Sequence, residues 1–157
     1  MRDGVRIGVD VGGVRVGVAR CDRAGILATP VATLRRGKDD LTGVVKLARA
    51  EEALEVIVGL PLNMDGSEGG NAQDARRWAG KIARRLKSVP VRLVDERLTT
   101  VSAHSLLHEA GMRESAHRSV VDQQAAVIIL ENALDIERRT GRPPGELVGS
   151  PEENLRD

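Results

Sequence analysis

The chain has 157 residues, enough for one domain with a single buried core. Phe and Tyr are absent and Trp78 is the only Trp, so aliphatic side chains must build that core, and base stacking on aromatics is not available for gripping single strands. With 24 Lys+Arg against 23 Asp+Glu the net charge is +1, which leaves any nucleic-acid contact to local basic clusters directed at phosphates.

The chain opens on alternating apolar residues that end in Asp10, followed by Gly12-Gly13 and a second alternating run. This pattern predicts strands over 5–10 and 14–20 joined at the Gly-Gly pair, and a third strand over 26–34 after the Asp22–Gly25 turn. Helical spacing of Leu41, Val44, Val45, Leu47 and Ala48 predicts a helix over 40–53. Val56–Leu60 is a continuous apolar run, as expected of a strand covered on both faces, and Pro61 ends it. A polar, glycine-rich loop over 62–70 leads into a helix over 71–87, with Ala75, Trp78, Ala79, Ile82 and Leu86 as its buried stripe. A strand over 91–94 runs into Asp95-Glu96-Arg97. A helix capped by Thr99 or Thr100 then ends near Gly111, and a last helix runs from Ser119 through Leu134.

The expected domain covers 1–138. From 139 to 157 Gly, Pro and Glu dominate, which predicts a disordered tail. No apolar stretch is long enough for a bilayer span, no signal-peptide segment opens the chain, and the single Cys21 precludes an internal disulfide. These features point to the reducing cytoplasm. Two basic groups stand out: Arg35, Arg36 and Lys38, and a longer series that includes Arg76, Arg77, Lys81, Arg84, Arg85 and Lys87. A solvated helix face explains either of them singly.

The element order β-β-β-α-β-α-β-α-α predicts an α/β fold with a mixed five-stranded sheet, order 3-2-1-4-5, flanked by helices. Ligands of such sheets bind beyond the carboxyl ends of the parallel strands. Asp10, the 61–70 loop and Asp95-Glu96 should therefore meet in one crevice, with Asp122 as a third acidic candidate. Clustered carboxylates repel unless neutralised, and Mg²⁺ (or Mn²⁺) suits an all-oxygen set completed by water and substrate phosphate. His104 and His108 lack a third ligand and read as surface residues. Each acid also has a purely structural explanation. Asp10 could accept amides of the Gly-Gly turn, Glu96 could pair with Arg92 or Arg97, and Asp122 could form a capping box with Ser119. Three separate explanations are needed to cover one convergence, which favours a site. Asn63, Arg15 and Arg97 flank the crevice as candidate phosphate contacts.

Four segments, in order, resemble the YqgF/RuvX family: Gly8–Gly12 with Arg15–Ala19, Val58–Gly66, Asp95–Thr100 and Val121–Leu130. The resemblance implies a ribonuclease H-like fold and a pre-16S rRNA nuclease acting at the rRNA 5′ end, or alternatively a Holliday junction resolvase. It further implies that Asp10, Glu96 and Asp122 form an acidic, metal-binding active site, with Asp95 as the alternative to Glu96. It suggests substrate contacts at Arg15, Asn63 and Arg97; the basic helix adds Arg77 and Lys81. Val14 stands where relatives often carry a polar or basic residue, which weakens any phosphate role at that position. Junction resolution would need a homodimer; no apolar interface segment is evident, although the helix holding Trp78 could hide one. Two other classes compete: half of a phosphate-binding ATPase, for which a second Asp-x-Gly hairpin is missing, and a non-catalytic rRNA or ribosome-assembly module.

Overall fold

A computed structural model describes residues 1–98 and 114–149. The helix expected from Thr99 or Thr100 to Gly111, with His104 and His108, lies outside the described residues. The strands are β1 (Arg6–Val11), β2 (Arg15–Cys21), β3 (Ala28–Arg35), β4 (Glu55–Leu60), β5 (Val91–Asp95) and β6 (Glu146–Leu147). The helices are α1 (Asp40–Ala50), α2 (Gly70–Leu86) and α3 (Glu114–Thr140), with a 3-10 turn at Glu96–Leu98.

The six strands form one sheet in the order β3-β2-β1-β4-β5-β6. β1 pairs antiparallel with β2 and parallel with β4, and β5 runs parallel to β4. The expected central order is therefore present, with one strand added. β6 pairs antiparallel with β5 through Arg92↔Leu147 and Leu93↔Glu146. This corrects the expectation of a disordered tail for 139–149. Helix α3 continues to Thr140, and the next residues close the free edge of β5, which would otherwise present unpaired backbone groups.

The sheet separates two apolar layers. Alternation along the strands places Ile7, Val9, Val16, Val18, Val56 and Val58 against α1 and α2, where Trp78, Ile82 and Val44 complete the core. The opposite residues, including Ala19, Ile57 and Val94, pack under α3 against Ala126, Ile129 and Leu130. Trp78 is only 2% exposed and belongs to this interior. Its Nε1 donates to buried Asp40 at 2.9 Å. At the edge of the sheet where β1 begins, buried Arg6 pairs with Glu137 at 2.9 Å and Arg92 with buried Glu55 at 2.9 Å. Arg2 joins both carboxylates. No described helix is long and apolar enough to cross a membrane.

Candidate active site

Asp10 stands near the end of β1, and the hairpin register decides what surrounds it. The register pairs Asp10 with Gly17 and Val11 with Val16, so the hairpin tip is Gly13-Val14 and not Gly12-Gly13. Gly12 N donates to Arg15 O at 2.9 Å. Opposite residues of an antiparallel pair share a face. Asp10 therefore projects on the side where Gly17 has no side chain. A methyl group on Gly17 would overlap the Asp122 carbonyl oxygen of α3. The missing Cβ lets α3 approach β2 closely and brings Asp122 beside Asp10.

Gly59 on β4 plays the matching part on the other flank. A Cβ there would lie 2.6 Å from Glu96 Oε1 and 2.6 Å from Ile129 Cδ1. The 3-10 turn after β5 folds the Glu96 side chain back over this bare position, where it shares a hydrogen bond with Asp10. Burial, then the Asp10 charge, push Glu96 up from its ordinary 4.5 to about 8. Burial, then the Asp122 charge, push Asp10 up from 3.8 to about 6, while the hydrogen bond from Glu96 opposes that rise. Two carboxyl groups thus share a proton near neutrality, an arrangement concentrated at functional sites.

The structural explanations of the three acids do not hold. The amide of Gly12, which flanks the tip, goes to the Arg15 carbonyl and not to Asp10. Arg92 is taken by Glu55, and Arg97 holds Asp95, with Nη2–Oδ2 at 2.7 Å. Helix α3 begins at Glu114, so Asp122 lies well inside it and Ser119 is not its cap. Asp95 is drawn low by its hydrogen bonds with Arg97, which already answer its charge.

The other sequence candidates divide. Arg15 Nε donates to Asp122 Oδ2 at 2.7 Å, at the border of the site. Arg97 Nη1 also reaches Met64 O at 3.3 Å, tying the loop after β4 to the end of β5. Asn63 turns inward on that loop, its Nδ2 3.0 Å from Ser67 Oγ. Arg77 and Lys81 lie on α2, across the sheet from the acid pair. Sequence reasoning missed Gly17 and Gly59; a correct hairpin register would have exposed the first, since it faces Asp10 directly.

Among the described residues no three ligand-type side chains stand in position around one ion, and Asp122 is paired with Arg15. The Asp10–Glu96 pair nonetheless suits a hard divalent cation, which binds through one or two carboxylates and keeps water or phosphate oxygens as further ligands. Their shared proton marks the negative charge that such an ion would neutralise.

A three-stranded antiparallel meander, two further parallel strands and acids at the ends of the first and fifth define a ribonuclease H-like α/β protein. The fold is similar to that of Thermus thermophilus RuvC in complex with a Holliday junction substrate (TM-score 0.50, 15% identity, 87% of this chain and 97% of that chain). The sequence of residues 4–136 matches the family RuvX, described as Holliday junction resolvase, and the chain belongs to that family. Relatives named "Putative pre-16S rRNA nuclease" include one from Nocardioides sp., 55% identical over 94% of this chain and 98% of its own length. Another, from Thermobifida fusca, is 55% identical over 96% of this chain and 100% of its own length.

Proposed function

We propose that this protein is an endonuclease that hydrolyses phosphodiester bonds of precursor 16S rRNA, at a site built on Asp10, Glu96 and Asp122. The observation that carries the reading is the half-buried Asp10–Glu96 pair at the carboxyl end of parallel strands. The names of full-length relatives support rRNA as the substrate. Mg²⁺ or Mn²⁺ held there would supply a water of lowered pKa and charge stabilisation for the departing oxygen.

Asp10, on the rigid central strand, orients the centre. Glu96, in its ionised form, would close the far side of an ion held there, and Asp122 would complete the set in place of its pair with Arg15, which would leave Arg15 to hold a phosphate. Arg97 holds the loop bearing Asn63 against the end of β5 and shapes the entrance. Arg77 and Lys81 face longer substrates from the other layer.

The test is cleavage of a 5′-extended 16S precursor beside a four-way DNA junction, with and without Mg²⁺. Wild type should cut the precursor only with the ion, and Asp10→Asn should lose cleavage with its melting temperature retained. Undiminished cleavage by Asp10→Asn refutes the site. The family description favours the junction as the second reading. It requires a symmetric dimer presenting two centres, and preferential junction cleavage would select it. Binding of precursor rRNA without cleavage under any divalent ion would leave an assembly module.

A further inference from the structure

The two basic groups of the sequence meet in one place. A cavity of about 230 Å³ opens between the start of α1 and the outer side of α2, lined by Arg36, Lys38, Thr42, Lys81 and Arg85, with buried Asp40 at its floor. Four cations thus face a single carboxylate. That carboxylate is already committed, to Trp78 Nε1 at 2.9 Å and to Gly37 N at 3.1 Å.

The cations differ in their commitments. Arg36 is bound to Asp74, with Nη1–Oδ2 at 2.7 Å, and Arg76 on the same helix bridges Glu68 and Glu146. Lys38, Lys81 and Arg85 form no ion pair among the described residues. Arg85 touches only the Thr42 hydroxyl, at 3.4 Å, through its side chain. Lys81 stands near enough to Asp74 to help hold that carboxyl low, and the exposed Lys38, Lys81 and Arg85 gather round one concavity where an anion relieves their repulsion. The first turn of α1 lines the cavity, and Asp39 makes no capping bond to it.

The position of the cavity is also informative. Arg36 Nη1 donates to Gly12 O at 2.9 Å, in the hairpin connection two residues past Asp10. The cavity therefore adjoins the end of the sheet that carries the acid pair, but from the opposite layer. We propose that this cavity binds a backbone phosphate of the nucleic-acid substrate, anchoring the strand where it passes round that end of the sheet from the acid pair. The inference deepens the nuclease reading and rests on it for the class of ligand. It assigns Lys38, Arg85 and Thr42 to substrate binding, and gives Lys81 its place there.

Binding in EDTA separates this inference from the reaction. A fluorescent 16S precursor fragment is titrated with the full chain at several salt concentrations, using wild type, Lys38→Gln/Arg85→Gln and the remote control Arg139→Gln. The double variant should bind about tenfold more weakly at low salt, and the slope of log K against log salt should fall by about 1 to 2. The control should match wild type. Equal affinity and slope for the double variant, with an unchanged melting temperature, overturn the proposal. A double variant that loses affinity with a lowered melting temperature is replaced by Lys38→Arg/Arg85→Lys, which must restore the slope for the proposal to stand. Inorganic pyrophosphate forms a separate arm. If it raises the melting temperature of wild type while RNA binding ignores the substitutions, the cavity serves a free phosphate compound and the proposal fails. Because no cleavage is read, failure of the nuclease reading shows only in the Asp10→Asn assay.

Discussion

Replacing Glu96 by Gln removes the ionisation that the fold opposes most among its described acids. Burial and the Asp10 charge push Glu96 from 4.5 to about 8, and burial with Asp122 pushes Asp10 from 3.8 to about 6. In the unfolded chain both carboxyls ionise near their ordinary values. Between those values and the folded ones, the folded protein binds more protons. The stability contributed by the protonated pair is therefore fully present below about pH 4 and lost as pH rises through about 6 and then about 8. At about 1.4 kcal/mol per pKa unit, the Glu96 shift sets a ceiling of roughly 5 kcal/mol. Water entry and relaxation at a half-buried site reduce the expected effect to about 2 kcal/mol. Gln keeps the shape over Gly59, and its amide can donate to ionised Asp10 as the protonated acid does. Urea unfolding in EDTA, followed by Trp78 emission, should thus give nearly equal stabilities for both proteins near pH 4.5. Near pH 8.5 the variant should be the more stable by about 2 kcal/mol. Excess Mg²⁺ should narrow that gap by stabilising wild type alone. Parallel pH profiles for the two proteins would refute the shared-proton description of this pair.

Gly59→Ala places a methyl group 2.6 Å from both Glu96 Oε1 and Ile129 Cδ1, the ends of two side chains that can shift, so it should cost about 1 kcal/mol in unfolding measurements and lower cleavage by displacing the Glu96 carboxyl. A variant that still cuts at the wild-type rate would show that the Glu96 position is immaterial. Glu137→Gln leaves buried Arg6 without its counter-charge and should destabilise by about 3–5 kcal/mol, read from urea midpoints, with no direct effect on metal binding. Arg15→Gln releases Asp122 from its 2.7 Å ion pair. Calorimetry should find Mg²⁺ bound about fivefold more tightly, while affinity for RNA falls; weaker Mg²⁺ binding would contradict competition between Arg15 and the ion.

The periodicity of the strands carries most of the fold. Alternation in β1 and β2 reflects two different layers packed on the sheet, and the unbroken apolar run of β4 reflects burial on both faces. What is not legible depends on long-range pairing. Glu146–Leu147 has no strand-like pattern of its own and becomes β6 only because β5 offers a free edge. The hairpin register requires knowing that Gly13-Val14, not Gly12-Gly13, forms the tip, a two-residue slip that exchanges Arg15 for Gly17 opposite Asp10. The ambiguity between Asp95 and Glu96 has the same origin. Strand alternation alone does not show that a 3-10 turn gives Asp95 to Arg97 and sends Glu96 back over Gly59. Acid types and approximate positions are local information, whereas the bare surface on which they gather is not.

That bare surface explains why glycines matter here as much as the acids. Asp10 lies between Gly17 on one neighbouring strand and Gly59, one residue past the Val9↔Val58 pair, on the other. Side chains at those positions would hold α3 away and fill the space that the carboxyls now occupy. The fold then manages three negative groups by three different means. Glu96 keeps a proton, Asp10 accepts the resulting hydrogen bond, and Asp122 takes Arg15. Each is a local substitute for positive charge, and each is reversible on a different stimulus: pH for the first two, competition for Arg15 for the third. A divalent cation supplies in one body what a proton and a guanidinium supply separately, which is why its entry should couple release of that proton to release of Arg15.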